Sequence, residues 1–460
     1  MLPELFIKRI RTQDYIDPDS LISALEGNSE TSIRVNNAKG AFIPGDSEKV
    51  PWCSSGYYLQ RRPSFTLDPL FHTGAYYPQE ASSMFLEEIF RQCVSKNESL
   101  KILDLCGAPG GKSTHLSSLI GNGGFLVSNE VIRQRAQVLS ENLTKWGLSN
   151  AIVTRSDPSA FQKLPGYFDV ILVDAPCSGE GMFRDQVARD EWSVENTVLC
   201  SERQKRILAD VWPALKNEGL LIYSTCTFNP DENEKNIHWL IEKNKAVPVK
   251  IDISRYTGIK EIEYKGAIGY GFYPGNIRGE GLFYSVIRKN SDEPEYERKV
   301  KVNPGFRATT EQVRIAGELT DFKRESIINI GNSVYSIPCS VEDFTLLAKN
   351  LFIVKPGTQI FSMKGKDALP SHELAMSVFY TEQAFPSLEL SLDQALDYLR
   401  KENISVSGSP TGWIMAKYKG TNLGFLKNIG SRTNNYYPTE WRIRMIRSSD
   451  NERISIKWEY

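Results

Sequence analysis

Between Leu100 and Leu240, short apolar runs alternate with longer segments of helical periodicity. That alternation is the pattern of a parallel sheet flanked by helices, and it constrains the chain more than any other feature. The spacing predicts strands over 101–105, 124–130, 151–155, 168–175 and 219–226, and helices over 113–120, 132–146 and 203–215. After the fifth strand, Asn229-Pro230-Asp231-Glu232 offers a capping side chain, a proline at the first helical position and acid in the first turn. It predicts a helix running to about residue 243. In open sheets of this kind ligands sit beyond the carboxyl ends of the strands, so the residues that end the strands are the ones to examine.

A chain of 460 residues exceeds one compact core. The expected division is an N-terminal α+β segment (1–75), the α/β catalytic unit (76–290), a charged, proline-bearing linker (291–305), a small intermediate domain (306–380) and a C-terminal module (381–460). The first of these carries no assigned chemistry. The last contains a helix-like stretch over 390–403 followed by short strands around 412–420 and 421–430. With 40% hydrophobic and 24% charged residues the composition is that of a soluble globular protein. The N-terminus is interrupted by Glu4, Lys8, Arg9 and Arg11, unlike a secretory signal, so a cytoplasmic location and, by default, a monomer are expected. Seven cysteines without a CxxC pair read as free thiols, with no metal site expected.

The first strand runs into Cys106-Gly107-Ala108-Pro109-Gly110-Gly111-Lys112-Ser113. A phosphate loop needs glycine where Cys106 stands, and the dinucleotide fingerprint needs glycine where Pro109 stands. Glu130, Asp157 and Asp174 close the next three strands. Three carboxylates at successive strand ends suit a nucleoside bearing a cation and repel a triphosphate, which points to S-adenosylmethionine. Glu130 is placed for ribose hydroxyls and Asp157 for an adenine amino group.

Two thiols stand at the ends of the fourth and fifth strands: Cys177 in Asp174-Ala175-Pro176-Cys177-Ser178-Gly179-Glu180-Gly181, and Cys226 in Ser224-Thr225-Cys226-Thr227. Neighbouring strands lie about 5 Å apart, so both can face one substrate. The pair suits activation of cytosine: one thiolate adds to C6 and makes C5 nucleophilic, while the other helps expel it. Asp174 is placed to contact N3 or the exocyclic amine, with Lys112 orienting it. Cys53, Cys93, Cys200 and Cys339 read as core residues.

At these residues the chain resembles the Nol/Nop/Sun family of RNA cytosine-5 methyltransferases. CGAPGGKS is similar to that family's cofactor loop, DAPCSGEGMFR to its release-cysteine motif and YSTCTFNPDENE to its nucleophile motif; Phe71 to Ser83 is similar to the segment preceding the loop. The stretch from Gly412 to Pro438 resembles a PUA-type RNA-binding module. The resemblance implies a Rossmann-like fold, with residues 106–112, Glu130, Asp157 and Asp174 as cofactor contacts, Cys226 as nucleophile and Cys177 as release cysteine. It implies an RNA partner, 16S ribosomal RNA or the small ribosomal subunit. One stretch departs from the family: where many members carry a Pro-His pair before a Gly-rich strand, this chain reads Tyr273-Pro274-Gly275-Asn276-Ile277-Arg278-Gly279-Glu280-Gly281.

Formal net charge is −1, but residues 401–460 hold ten Lys and Arg against five Asp and Glu. Lys417, Lys419, Lys427, Arg432, Arg442 and Arg444, near Tyr436, Tyr437 and Trp441, are the expected phosphate contacts. Three other readings stand beside this one. A DNA cytosine-5 methyltransferase would use the Pro-Cys cysteine as nucleophile and needs a large recognition insertion, for which the interval between Cys177 and Cys226 leaves no room. A transfer RNA enzyme of the same chemistry and a non-catalytic RNA-binding assembly factor are the others; the two thiols and complete loop argue against the last.

Overall fold

The computed structural model describes residues 1–95, 99–121, 123–291, 300–322, 326–405, 408–445 and 455–459. The five expected parallel strands form, as β1 (Lys101–Asp104), β2 (Phe125–Asn129), β3 (Ala151–Thr154), β4 (Phe168–Asp174) and β5 (Leu215–Thr225). They lie in the order β5-β4-β1-β2-β3. The chain reverses direction across the sheet between β1 and β4, so the loops that leave those two strands open the crevice where such folds bind ligands. Three antiparallel strands, β6 (Lys260–Tyr264), β7 (Ala267–Phe272) and β8 (Leu282–Arg288), extend the sheet beyond β5. Buried Val, Ile and Leu on both faces of β1 to β5 make the strands near-continuous apolar runs, as helices covering both sides require.

The helices differ from expectation in two places. The one expected over 203–215 begins earlier, at Val194–Val211, because the Ser193 hydroxyl caps the Asn196 N–H at 3.0 Å; Pro213 then ends it in a tight turn before β5. The helix after β5 is Glu234–Asn244 and does not start at Pro230. Asn229 accepts the Asp231 N–H at 3.0 Å in a local turn, and Asn233 bonds Thr225 and the Thr227 carbonyl. Side chains that would cap a helix are instead spent on the strand-end loop. Helices Gly111–Ile120 and Arg133–Trp146 form as expected.

Helices Glu4–Ile10 and Pro18–Glu26 of the N-terminal segment pack into the core that holds Phe183 and Phe228, and the segment's sheet is completed by Tyr76–Pro78 pairing with Thr31–Val35. Of the expected linker, 292–299 lie outside the described residues. In the intermediate segment, strand Ile353–Lys355 adds antiparallel to β3, and Phe344, Leu347 and Leu351 share the core of Tyr167 and Phe168. Leu374 and Met376 pack with Met415 and Phe425 of the C-terminal module. That module is a four-stranded sheet centred on the hairpin Gly412–Tyr418 and Thr421–Asn428, with helix Leu392–Leu399 capped by the reciprocal pair Ser391 and Gln394. Among the described residues no helix is long and apolar enough to cross a membrane.

Candidate active site

The loop from β1 is shaped by what surrounds it. A Cβ at Gly107 would lie 2.3 Å from Ser128 Oγ and 2.7 Å from Ser113 Oγ, and Gly110 holds φ 120°, so glycine is required at both positions. Arg135 donates to the Ala108 carbonyl at 3.0 Å and Asn142 to that of Pro109 at 2.8 Å, pinning the loop from outside. Lys112 enters helix Gly111–Ile120, and its ammonium pairs with Asp174 at 2.9 Å. Burial opposes that charge, but Asp174, then Tyr284 and Cys226, hold the ammonium above its ordinary range. Ser224 donates to the other oxygen of Asp174 at 2.6 Å. Asp174 thus accepts from two donors, one at each oxygen.

Asp104, which sequence reasoning passed over, ends β1 fully buried and accepts the Ser113 hydroxyl at 2.6 Å. Its second oxygen has no hydrogen-bond partner among the described residues. Burial, aided by Asp174 and Glu130, pushes its carboxyl up to about 7. A buried oxygen short of a donor, among like charges, is the environment that a bound cation relieves. The loop therefore fits a sulfonium nucleoside. The signal available beforehand was the acidic end of β1, directly before the glycine loop.

Glu130 is buried at the end of β2, accepts the Ile132 N–H at 3.0 Å and lies 3.5 Å from Arg135. Asp157 is exposed and caps the turn Pro158–Lys163 by accepting from Ser159 N–H at 3.0 Å and Ser159 hydroxyl at 2.7 Å. Cys106 is half-buried, and burial, with Asp104 and Asp174 nearby, raises its thiol above the usual range.

Cys177 and Cys226 meet across the ends of β4 and β5, their sulfurs 2.9 Å apart. The Cys226 N–H also donates to the Cys177 sulfur at 3.2 Å. The bond to Cys226 and burial raise the Cys177 thiol well above its usual range, so Cys177 rests protonated. Of the remaining cysteines, Cys53 is buried and donates to Glu87 at 3.2 Å, and burial pushes its thiol up to about 12. The stretch that departs from the family pattern closes against the same loops: a Cβ on Gly281 would strike Phe228 at 2.2 Å and Gly181 at 2.6 Å, and Glu280 pairs with Arg184 at 2.6 Å.

The six basic residues of the C-terminal module are not gathered into one stripe. Lys417, paired with Glu382, and Lys419 stand near the hairpin turn, whereas Lys427 lies opposite Trp413 at the far end, near exposed Arg432. Arg442 and Arg444 line a recess with Arg400, Asp397 and Glu402.

Family models match along most of the chain: the N-terminal domain of 16S rRNA methyltransferase RsmF over 2–81, 16S rRNA methyltransferase RsmB/F over 92–288, and the methyltransferase RsmF PUA domain over 385–443. Ribosomal RNA small subunit methyltransferase F of Enterobacter sp. (strain 638) is 30% identical over 95% of this chain and 95% of its own length. The protein of that name from Shewanella woodyi is 30% identical over 92% of this chain and 90% of its own. Among solved structures, a methyltransferase homologue from Pyrococcus horikoshii aligns at TM-score 0.53 and 27% identity over 62% of this chain and 95% of its own. The structure of NSun6 from the same organism with SFG aligns at TM-score 0.51 and 19% identity, covering 63% of this chain and 99% of that one, a likeness of fold.

Proposed function

The chain belongs to the ribosomal RNA small subunit methyltransferase F family, and from that premise we propose that it methylates C5 of cytosine in 16S ribosomal RNA, using S-adenosylmethionine and a covalent bond from Cys226 to C6. The observation that carries this reading is the pair of thiols 2.9 Å apart beside the Lys112–Asp174 ion pair.

When bound, S-adenosylmethionine supplies an electrophilic methyl group. Residues 106–112 would hold it, with Asp104, Glu130 and Asp174 facing its positive charge and hydroxyls and Asp157 toward the adenine. C5 of cytosine is too electron-poor to take up that methyl unaided. The Cys226 thiolate forms a bond to C6, and the C5–C6 π pair moves onto C5. Lys112 places a cation beside the sulfur and the Asp174 carboxylate, stabilising charge where it shifts during the addition. Asp174, oriented by Ser224, accepts from the exocyclic amine. Once C5 carries its methyl, Cys177 gives its proton to the departing Cys226 sulfur and takes the C5 proton in its place, and the double bond re-forms. The raised Cys177 thiol fits that order of events, because the helper must hold a proton at the start. The six basic residues of the C-terminal module contribute phosphate contacts in this reading.

The test is to incubate the protein with methyl-labelled S-adenosylmethionine and 16S ribosomal RNA, naked and within the small subunit, then digest to nucleosides. Label in 5-methylcytidine is the expected result; label in any other nucleoside overturns the assignment.

A further inference from the structure

The sheet does not by itself hold the two thiols together. Ladder pairing between β4 and β5 ends at Asp174 and Ser224, before either cysteine. Beyond it, two fully buried carboxylates cross the gap in opposite directions. Glu232, downstream of Cys226, accepts from the Ser178 N–H and from Gln204 Nε2, each at 2.9 Å, on one oxygen. Its other oxygen accepts the Ser178 hydroxyl at 2.5 Å and the Thr227 hydroxyl at 3.3 Å. Ser178 is the residue next to Cys177. Glu180, downstream of Cys177, accepts the Phe228 N–H at 3.1 Å, two residues past Cys226. Both Glu180 oxygens also receive Arg9 of the N-terminal helix, at 2.8 and 2.6 Å, and Trp192 Nε1 donates at 2.9 Å. Gln13 of the N-terminal segment adds a bond to the Phe228 carbonyl at 3.1 Å.

We propose that Glu180 and Glu232 are positioning residues, a reciprocal pair of clamps that keeps the Cys177 sulfur within proton-transfer reach of Cys226, with Arg9 bringing the N-terminal segment into the catalytic assembly. The proposal rests on the covalent reading above. Two features separate it from ordinary loop packing. Each carboxylate is rooted in one cysteine loop and closes on the other, beside the backbone bond from the Gly181 N–H to the Cys226 carbonyl at 2.9 Å, so losing either loosens one thiol relative to the other without touching the cofactor loop. The two also differ in what they demand. All four bonds to Glu180 come from N–H groups that can only donate, so an amide there would set its own NH2 against a donor. At Glu232 one oxygen faces two hydroxyls, which can turn and accept, so glutamine can keep the clamp closed.

The effect should fall on release of the nucleophile, since of the two thiols methyl uptake needs Cys226 and not Cys177. The experiment follows the lifetime of the thiol-linked RNA adduct in a single turnover on 16S ribosomal RNA, using the full chain. It compares wild type with Cys177→Ala, Glu232→Ala, Glu232→Gln and Glu180→Gln, with calorimetric S-adenosylmethionine affinity measured on each. Glu232→Ala and Glu180→Gln should lengthen the adduct lifetime about tenfold, towards that of Cys177→Ala, while cofactor affinity stays at the wild-type value. Glu232→Gln should restore release to within about threefold of wild type, a rescue that a role in bulk packing would not give. If Glu232→Ala does not fold, Ser178→Ala, which removes one hydroxyl from the same clamp, should show a smaller lengthening. Wild-type lifetimes in the alanine and Glu180 variants, alongside a long-lived adduct in Cys177→Ala, overturn the clamps and leave the covalent reading standing. So does a loss of cofactor affinity parallel to the loss of release. A Cys177→Ala protein that builds up no adduct overturns the covalent reading itself, and the clamps with it.

Discussion

At the catalytic strand ends, side chains distant in sequence converge; in the C-terminal module, side chains close in sequence diverge. Cys177 and Cys226 stand 49 positions apart and touch. Lys417 and Lys427 are ten apart, yet sit at opposite ends of one hairpin. Parallel strands present all their carboxyl ends along one edge, so motifs that follow neighbouring strands are brought together. An antiparallel hairpin reverses direction, so basic residues on its two strands are carried apart unless they face each other in register. A motif therefore predicts a site only when the topology that gathers it is known.

That contrast can be strained from the catalytic side first. Lys112→Met should remove the cation facing Asp174 and Cys226 and lower single-turnover methyl transfer by about a hundredfold, with RNA affinity unchanged. Transfer at the wild-type rate would show that the ion pair is only structural. Glu130→Ala should weaken S-adenosylmethionine binding about tenfold by calorimetry, the lower end for a charge-assisted contact, because one Glu130 oxygen already serves the Ile132 N–H. Unchanged affinity in the folded variant would remove Glu130 from the cofactor shell.

On the other side, Arg442→Glu with Arg444→Glu should weaken 16S ribosomal RNA binding several-fold and lower its salt dependence by about two ions, leaving the cofactor untouched. The charge reversal suits this purpose better than deleting the module, since Met415 and Phe425 complete the core around Leu374 and Met376. Identical salt slopes would leave the recess without a role in RNA binding. The junction itself supplies the smallest effect. His372 lies half-buried against Tyr437 and Trp441 with both ring nitrogens shut from solvent; that burial, then Lys145, Lys39 and Lys401, lowers its imidazole to about 3. His72 is lowered to about 3 by burial and Lys145. Both stay neutral when folded but take up protons near 6.5 when unfolded, so their contribution to stability is full above that pH and is lost as pH falls towards 3. Asp104, raised to about 7, acts in the opposite sense over the same range, so the test is a difference: on going from pH 7 to pH 5 the melting temperature of His372→Phe, which keeps an aromatic ring in place, should fall less, or rise more, than that of wild type. A slope identical to wild type would contradict the assignment.

Much of the catalytic centre could be read from residues in a row. The glycine loop, the strand-end acids and the two thiols all lie directly after apolar runs, where periodicity alone locates them. What could not be read depends on partners brought together by folding. Glu180 and Glu232 stand inside the quoted motifs, but their roles come from Phe228, Ser178 and an arginine 171 positions away. The helix after β5 starts later than its sequence predicts for the same reason: residues 229–233 have good capping chemistry, and the strand-end loop takes it up. Asp157 shows the reverse case, a strand-end acid in a sequence, Asp157-Pro158-Ser159, that also spells a local cap, which is the contact it makes.

The most direct measurement is a denaturing gel of labelled 16S ribosomal RNA mixed with Cys177→Ala, Cys226→Ala and the double variant in the presence of S-adenosylmethionine. Because only Cys226 is taken to bond C6, a slowly migrating thiol-linked band should appear with Cys177→Ala and be missing from the other two. An adduct that survives in Cys226→Ala and vanishes in Cys177→Ala would give the nucleophile's role to Cys177 and contradict the account.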